Sequence, residues 1–412
     1  MKCWSDRHQI AEVSNIYMLT LLKRISFVIL KIIVSLILIL LLIILFLYSG
    51  TTVYDFPKTT SFAGDQIFNP YENLPALKFK ANFHAHSYSW SGITHGANTE
   101  KELYDAYTNR GYDITCISNY HKISAYHKKL TDLYVPAYEH GFNIHKAHYL
   151  AINAKKVSFW DFPLWQNFSH QQTIIDVLRQ NAEIVALAHP KFGGGRSFEG
   201  MQTLVGYHLT EVLNHYRNSE EYWDKALSAG KLSWITGNDD IHDLKDPEIF
   251  KIWNIIYSDV AQRDTLMSNI KRGKNYAVES FEGLSDNSFI SCIKQDDSSF
   301  LFTFENVVDT LVFIGQNGIV RQKIIAKNKA NYSFRPDDTY IRVVAKNKNS
   351  NMYLNPLVKY SGSNILHVSN IKANEKVLYT WLLRLSLFAV MMVLLYWWKR
   401  FLLSRPFDKK HT

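Results

Sequence analysis

Histidines and carboxylates recur in this chain at places where they could hold metal ions. His84 and His86 stand two residues apart, so on an extended backbone both rings point to one face and can grip one ion. Asp240 and His242 repeat that spacing far downstream, and His121, Glu139, His148 and His189 lie between the two pairs. A carboxylate such as Glu139 can bridge two ions with its two oxygens. Imidazole and carboxylate without thiolate suit Zn, Mn or Fe rather than a Cys-rich structural zinc site. Of the 16 histidines, 13 fall between His84 and His242, whereas only Cys3, Cys116 and Cys292 are present. That cysteine count excludes a disulfide scaffold. One histidine after a strand is more often a cap or a surface residue; the ordered set predicts a metal centre.

The segments before these residues read as strands separated by helices. Leu77–His84 is strand-like, Asn98–Arg110 helical with an Asn cap, and Tyr112–Ser118 a buried strand. His170–Gln180, Ser219–Ala229 and Asp259–Arg272 read as helices, and Ile184–His189, Leu209–Leu213 and Leu232–Gly237 as strands. This alternation implies βαβ units and a parallel sheet or barrel, whose active sites form just past the strand ends. After about Lys274 the pattern changes to short strands, Phe289–Ile293, Phe300–Phe304, Thr310–Ile314, Tyr340–Val344 and Met352–Leu354, which predicts a small all-β module.

The stretches FHAHSYSWSGITHGANTEKEL, GYDITCISNYHKI, VPAYEHG, AHYLAI, LAHP, TEVLN and GNDDIHD resemble, in order, the motifs of the PHP (polymerase and histidinol phosphatase) superfamily over roughly residues 78–275. The resemblance implies an α/β fold, a distorted (β/α)7 TIM-like barrel with two or three divalent metal ions at the strand C-termini, usually hydrolysing phosphoesters. By motif, His84 and His86 match the opening ligands, Glu139 the bridging carboxylate, His189 the His-Pro histidine, and Asp240 and His242 the closing pair. His148 matches the histidine of a His-hydrophobic-Leu motif. Thr94-His95-Gly96 stands where the family has Ser-Asp-Gly, so His95 is a candidate ligand. Ser118-Asn119-Tyr120-His121 stands where it has Thr-Asp-His-Asn, which puts Tyr120 at the ligand position and His121 one residue later. Either His121 substitutes or one metal site is altered.

Clustered divalent ions make water a nucleophile near neutral pH and neutralise charge on a phosphate. Lys191 and Arg196, in HPKFGGGRSFEG, are candidate catalytic cations beside a Gly-rich loop that could approach an anion. His121, where it is not a ligand, is a candidate proton donor to the leaving group. The expected substrate is a phosphorylated small molecule or polymer. Two other readings stand beside the phosphoesterase: a hydrolase of a non-phosphate bond, and a degenerate barrel acting as a binding module.

Two apolar runs flank this body. Residues 25–48 and 377–398 are long enough to cross a bilayer, the second interrupted by Arg384. The predicted organisation is a tail (1–24), a span (25–48), a linker (49–77), the hydrolase domain (78–275), the β module (276–372), a span (377–398) and a second tail (399–412). The 412-residue chain carries a net charge of +9, most of it in the two tails, so nucleic-acid binding is not inferred. Basic outer flanks predict a cell-membrane protein with both termini cytoplasmic and the catalytic body outside the cytoplasm.

Overall fold

The computed structural model describes residues 2–285, 287–362, 365 and 371–404, with side chains described from Tyr17 onward; most of the second tail, residues 405–412, lies outside the described residues. The chain divides into two compact units, Tyr54–Glu375 and the pair of terminal segments Met1–Val53 and Lys376–Thr412.

The terminal unit is built from two long helices. Lys2–Tyr48 is one continuous helix, and Val377–Leu403 is the other; both are long and apolar enough to cross a membrane. Several of their described polar side chains find partners within the unit. Lys31 donates to the carbonyls of Leu402 and Ser404 at 2.6 and 2.7 Å, and the Trp398 indole N–H donates to Ser35 at 2.9 Å. The Arg384 guanidinium reaches the Thr52 hydroxyl at 3.4 Å.

The larger unit contains strands β1 (Leu77–Asn82), β2 (Ile114–Thr115), β3 (Ala137–His140), β4 (Tyr149–Ala154), β5 (Ala182–Leu187), β6 (Leu209–Asn214) and β7 (Trp234–Asn238). These are followed by β8 (Ile252–Ser258), β9 (Asn275–Ser280), β10 (Phe289–Lys294), β11 (Ser299–Gly315), β12 (Ile319–Ser333), β13 (Tyr340–Lys346) and β14 (Ser350–Leu354). Helices α1 (Glu100–Thr108), α2 (Phe168–Arg179), α3 (Glu220–Ser228) and α4 (Arg263–Lys271) lie between them.

The fold is mixed α/β, but these fourteen strands form two sheets, beside a two-stranded pairing of Tyr54–Asp55 with Asn374–Glu375, and no closed barrel is found among the described residues. One sheet has the order β7-β6-β5-β4-β3; the other runs β10-β11-β13-β14-β9-β8-β1-β2, with β12 on β11. The expectation of uniform parallel pairing fails in both. β6 is parallel to β5 and β7, yet β4 is antiparallel to both β3 and β5, and β8 is antiparallel to both β1 and β9. For β3 and β4 the cause is the short loop between them, which leaves no room for a crossover helix, so the chain can only fold back. Two isolated parallel bridges, Ala85↔Ile241 and Tyr120↔Glu139, join the two sheets at the strand ends. Strand pairing also runs across residue 275: β9 pairs with β8 on one side and with β14 on the other.

Local sequence explains most elements. β5 (AEIVAL) is an apolar run buried on both faces, as a central strand requires. α1 is capped by Thr99 in a capping box with Glu102, a contribution of about 1 kcal/mol. The expected cap, Asn98, instead accepts the Leu244 N–H at 2.8 Å and ties α1 to the loop after Asp240. The sequence suggests two strands within 299–315, but the chain stays extended as one strand with a register shift between Thr303 and Val308. β12 (IVRQKIIAKNKANYS) is a Lys-rich edge strand, largely exposed, that buries only Ala330 and Tyr332.

Candidate metal centre

The opening and closing histidine motifs are pinned to each other by backbone. The Asp240 N–H donates to the His84 carbonyl at 2.9 Å and the His86 N–H to the Ile241 carbonyl at 2.8 Å. Side chains from both segments therefore meet at one point beyond β1 and β7. The Nε2 atoms of His84 and His86 are 3.1 Å apart, and each faces Glu139 Oε2 (3.3 and 3.1 Å) and Asp240 Oδ1 (3.1 and 3.2 Å). All four residues are buried. The other Glu139 oxygen, Oε1, serves a second pair: His148 Nδ1 at 2.8 Å and His189 Nε2 at 3.1 Å. Asp240 Oδ2 lies 3.9 Å from His189 Nε2. One carboxylate thus stands between two ligand groups, His84–His86–Glu139–Asp240 and Glu139–His148–His189.

Two observations test whether these residues suit a cation. Glu139 Oε2 and Asp240 Oδ1 are buried without a hydrogen-bond partner although both face imidazole nitrogens. Burial alone would raise the Glu139 carboxyl and lower His84; instead His148 and His84 hold Glu139 well below its usual range, and Asp240, Glu211 and Glu139 push His84 well above its own. The pocket demands positive charge, which a divalent ion would supply. The backbone is also committed to this arrangement: His189 (φ 26°) and Asp240 (φ 50°) adopt the left-handed region, at a strain of order 1–3 kcal/mol each.

Behind these side chains stands a residue that no ligand spacing announces. Glu211, fully buried in β6, accepts from His84 Nδ1 at 3.0 Å and from the His189 N–H at 2.8 Å, so it fixes one histidine in each group. Asn238 and Asn214 donate to it at 2.8 and 3.2 Å, and Asn214 also donates to Asp240 Oδ2 at 3.2 Å. Its signal was the TEVLN stretch, where a carboxylate in an otherwise apolar strand needs a buried partner.

The remaining sequence candidates are dispersed. His242 stacks on His86 at 4.4 Å and donates from Nδ1 to the Asp240 carbonyl at 2.9 Å, and it belongs to neither group. Burial, with His86 next, pushes its pKa down to about 4. His95 is exposed, its ring 6.5 Å from that of His242. His121 turns away: with φ 47° it sends its ring to the far side of the loop. There Nδ1 donates to the Ser158 carbonyl at 2.9 Å and Nε2 accepts the Gly141 N–H at 3.1 Å. Tyr120 takes the inward position, stacked on His86 at 4.7 Å and edge-on to His148 at 5.4 Å. Arg196 is buried, and its two terminal guanidinium nitrogens donate to the Tyr149 hydroxyl, Gln171 Oε1 and the His148 carbonyl (3.0, 2.7 and 3.1 Å). Lys191 is at the surface, 3.5 Å from Glu221.

A second buried group, His121–His140–Asp161, has the composition of a metal site. Its polar atoms are mostly committed to backbone. His140 Nε2 donates to the Trp160 carbonyl at 2.9 Å, and Asp161 accepts the N–H groups of Phe142 and Phe162.

No family model matches the chain, and no curated protein matches it. Among solved structures, a two-domain protein from Bacteroides vulgatus containing a predicted PHP-like metal-dependent phosphoesterase aligns at a TM-score of 0.40 and 13% identity. The alignment covers 71% of this chain and 95% of that one.

Proposed function

We propose that the chain is a membrane-anchored metal-dependent phosphoesterase of the PHP type, with a centre for two divalent ions. The observation that carries this reading is Glu139, whose two oxygens face separate imidazole pairs. One ion would be held by His84, His86, Glu139 and Asp240, the other by Glu139, His148 and His189. Such ions supply Lewis acidity toward phosphate oxygens and make water a nucleophile near neutral pH.

The chain's own groups do the rest. Glu211 accepts from His84 Nδ1, which fixes the tautomer and leaves the Nε2 lone pair facing the carboxylates. Tyr120 and His242 lie against His86 at 4.7 and 4.4 Å, both at 24°, and hold its plane. Arg196 anchors the carbonyl of His148 and so positions that ligand rather than the substrate. His121, with both ring nitrogens bonded, takes no part in proton transfer.

Tyr120 at the ligand position is the feature that favours a binding module instead. Metal analysis of the purified full chain in detergent, alongside hydrolysis of an aryl phosphate with and without chelator, separates the two. About two ions per chain with chelator-sensitive turnover is the expected result; one ion or none, and no turnover after Zn, Mn or Fe is restored, would overturn the phosphoesterase. The two apolar helices are read as anchors with both termini cytoplasmic. A reporter fused to the C-terminus should be active inside the cell, and activity outside would reverse the topology.

A further inference from the structure

Beside the candidate metal centre lies a set of aromatic rings that ligand chemistry does not require. Tyr120 stacks on His86 at 4.7 Å and on Phe142 at 6.2 Å, so it links a metal ligand to the surface. Beyond it, Phe142, His121 and Phe159 form a pile with His121 in the middle, at 4.4 Å and 7° from Phe142 and 5.7 Å and 18° from Phe159. Trp90 meets Phe159 edge-on at 6.4 Å, and its indole N–H donates to the Tyr120 carbonyl at 2.7 Å. Trp90, Phe142 and Phe159 come from three separate loops and are 41, 52 and 63% exposed. Large rings clustered yet half in water mark a binding surface rather than a core.

The buried His121–His140–Asp161 group explains how these rings are held. His121 bonds the Ser158 carbonyl and the Gly141 N–H, the residues just before Phe159 and Phe142. Asp161 takes the Phe142 N–H, and His140 bonds the Trp160 carbonyl. A cluster with the composition of a metal site is thus occupied in fixing two phenylalanines that keep more than half of their surface open to solvent.

We propose that Tyr120, Phe142, Phe159 and Trp90 form a subsite for a flat, uncharged ring in the substrate's ester group, adjoining the phosphate at the metal centre. The proposal rests on the phosphoesterase reading. None of the four side chains carries charge at neutral pH, so the wall selects shape and leaves recognition of the anion to the centre.

The test uses the metal-loaded full chain in detergent and three phosphomonoesters of alkyl alcohols: 2-naphthylmethyl, cyclohexylmethyl and methyl phosphate. The naphthylmethyl ester should show a kcat/KM about tenfold above the cyclohexylmethyl ester, the range of one stacked ring. Phe142→Ala and Phe159→Ala should each erase most of that preference through KM, with bound metal unchanged. Equal kcat/KM for the flat and puckered esters, or a preference that both variants retain, would overturn the subsite. Calorimetry with 2-naphthylmethylphosphonate and methylphosphonate reads the wall without turnover. Tighter naphthyl binding that Phe159→Ala weakens, in a protein that hydrolyses none of the esters, would support the subsite and sink the phosphoesterase. Equal affinities, or no binding of either phosphonate, would overturn the subsite.

Discussion

Two buried clusters in this protein have nearly the same composition and opposite character. His84, His86, Glu139 and Asp240 turn their ring nitrogens and carboxylate oxygens toward one another, and Glu139 Oε2 and Asp240 Oδ1 have no hydrogen-bond partner. His121, His140 and Asp161 also lie within ligating distance, but backbone N–H and carbonyl groups have claimed most of their polar atoms, His140 Nδ1 being the exception. Residue type does not separate a metal centre from a loop clamp; what separates them is how much bonding capacity the backbone leaves unused. The titration directions agree. Carboxylates push His84 up against the effect of burial, whereas burial, with His140 next, pushes His121 down to about 4.

The largest expected difference lies in metal content. Asp240→Ala or His84→Ala should remove at least one ion and abolish ester hydrolysis, while His121→Ala and His140→Ala should leave the metal in place. Elemental analysis of the four proteins decides it, and loss of metal from His121→Ala would erase the distinction drawn above. Next comes Glu211→Gln, which replaces the acceptor for His84 with an amide. Metal affinity should fall by about 10–100-fold with the fold intact, the usual cost of losing a carboxylate behind a ligating histidine; titration with a metal indicator measures it. An unchanged affinity would mean that Glu211 serves only packing.

The clamp should instead show itself in stability. His121→Ala removes a buried ring and strands the Ser158 carbonyl and Gly141 N–H, which should cost about 2–3 kcal/mol in denaturant unfolding. The acid limb should carry an effect of comparable size. His121 has a depressed folded pKa of about 4, so its contribution is full above about pH 6.5, where the unfolded imidazole is also neutral, and is lost as pH falls toward 4. A shallower decline between those values is expected in His121→Gln than in the parent, and parallel curves would remove His121 from the account.

Much of the centre was legible before any coordinates. His84, His86, Glu139, His148, His189 and Asp240 are all brought together, because residues at or beside the strand ends gather where the strands share a rim. Asp240 could be named but its backbone could not, since a left-handed φ in a non-glycine residue is imposed by surrounding contacts. The dispersed candidates, His95, His121, Lys191 and Arg196, carry suitable chemistry, but one-dimensional order does not say which way a loop side chain turns. Arg196 is the clearest case: a cation beside a Gly-rich loop reads as an anion site, and it is buried against Tyr149, Gln171 and the His148 carbonyl.

Local physics accounts for what the amino-acid sequence determined alone. Two apolar runs form long helices, periodic segments form strands and helices near their expected bounds, and a pair of residues two apart on extended chain shares a face. Tertiary structure decided the rest, because pairing partners and loop directions depend on residues distant in sequence. It split the strands between two sheets rather than closing them into a barrel, and it merged 299–315 into one strand against a Lys-rich edge. It also turned Tyr120 inward and His121 outward. That choice was not available to either residue by itself: the Tyr120↔Glu139 bridge and the carbonyl of Ser158, from segments 19 and 37 residues beyond them, set it.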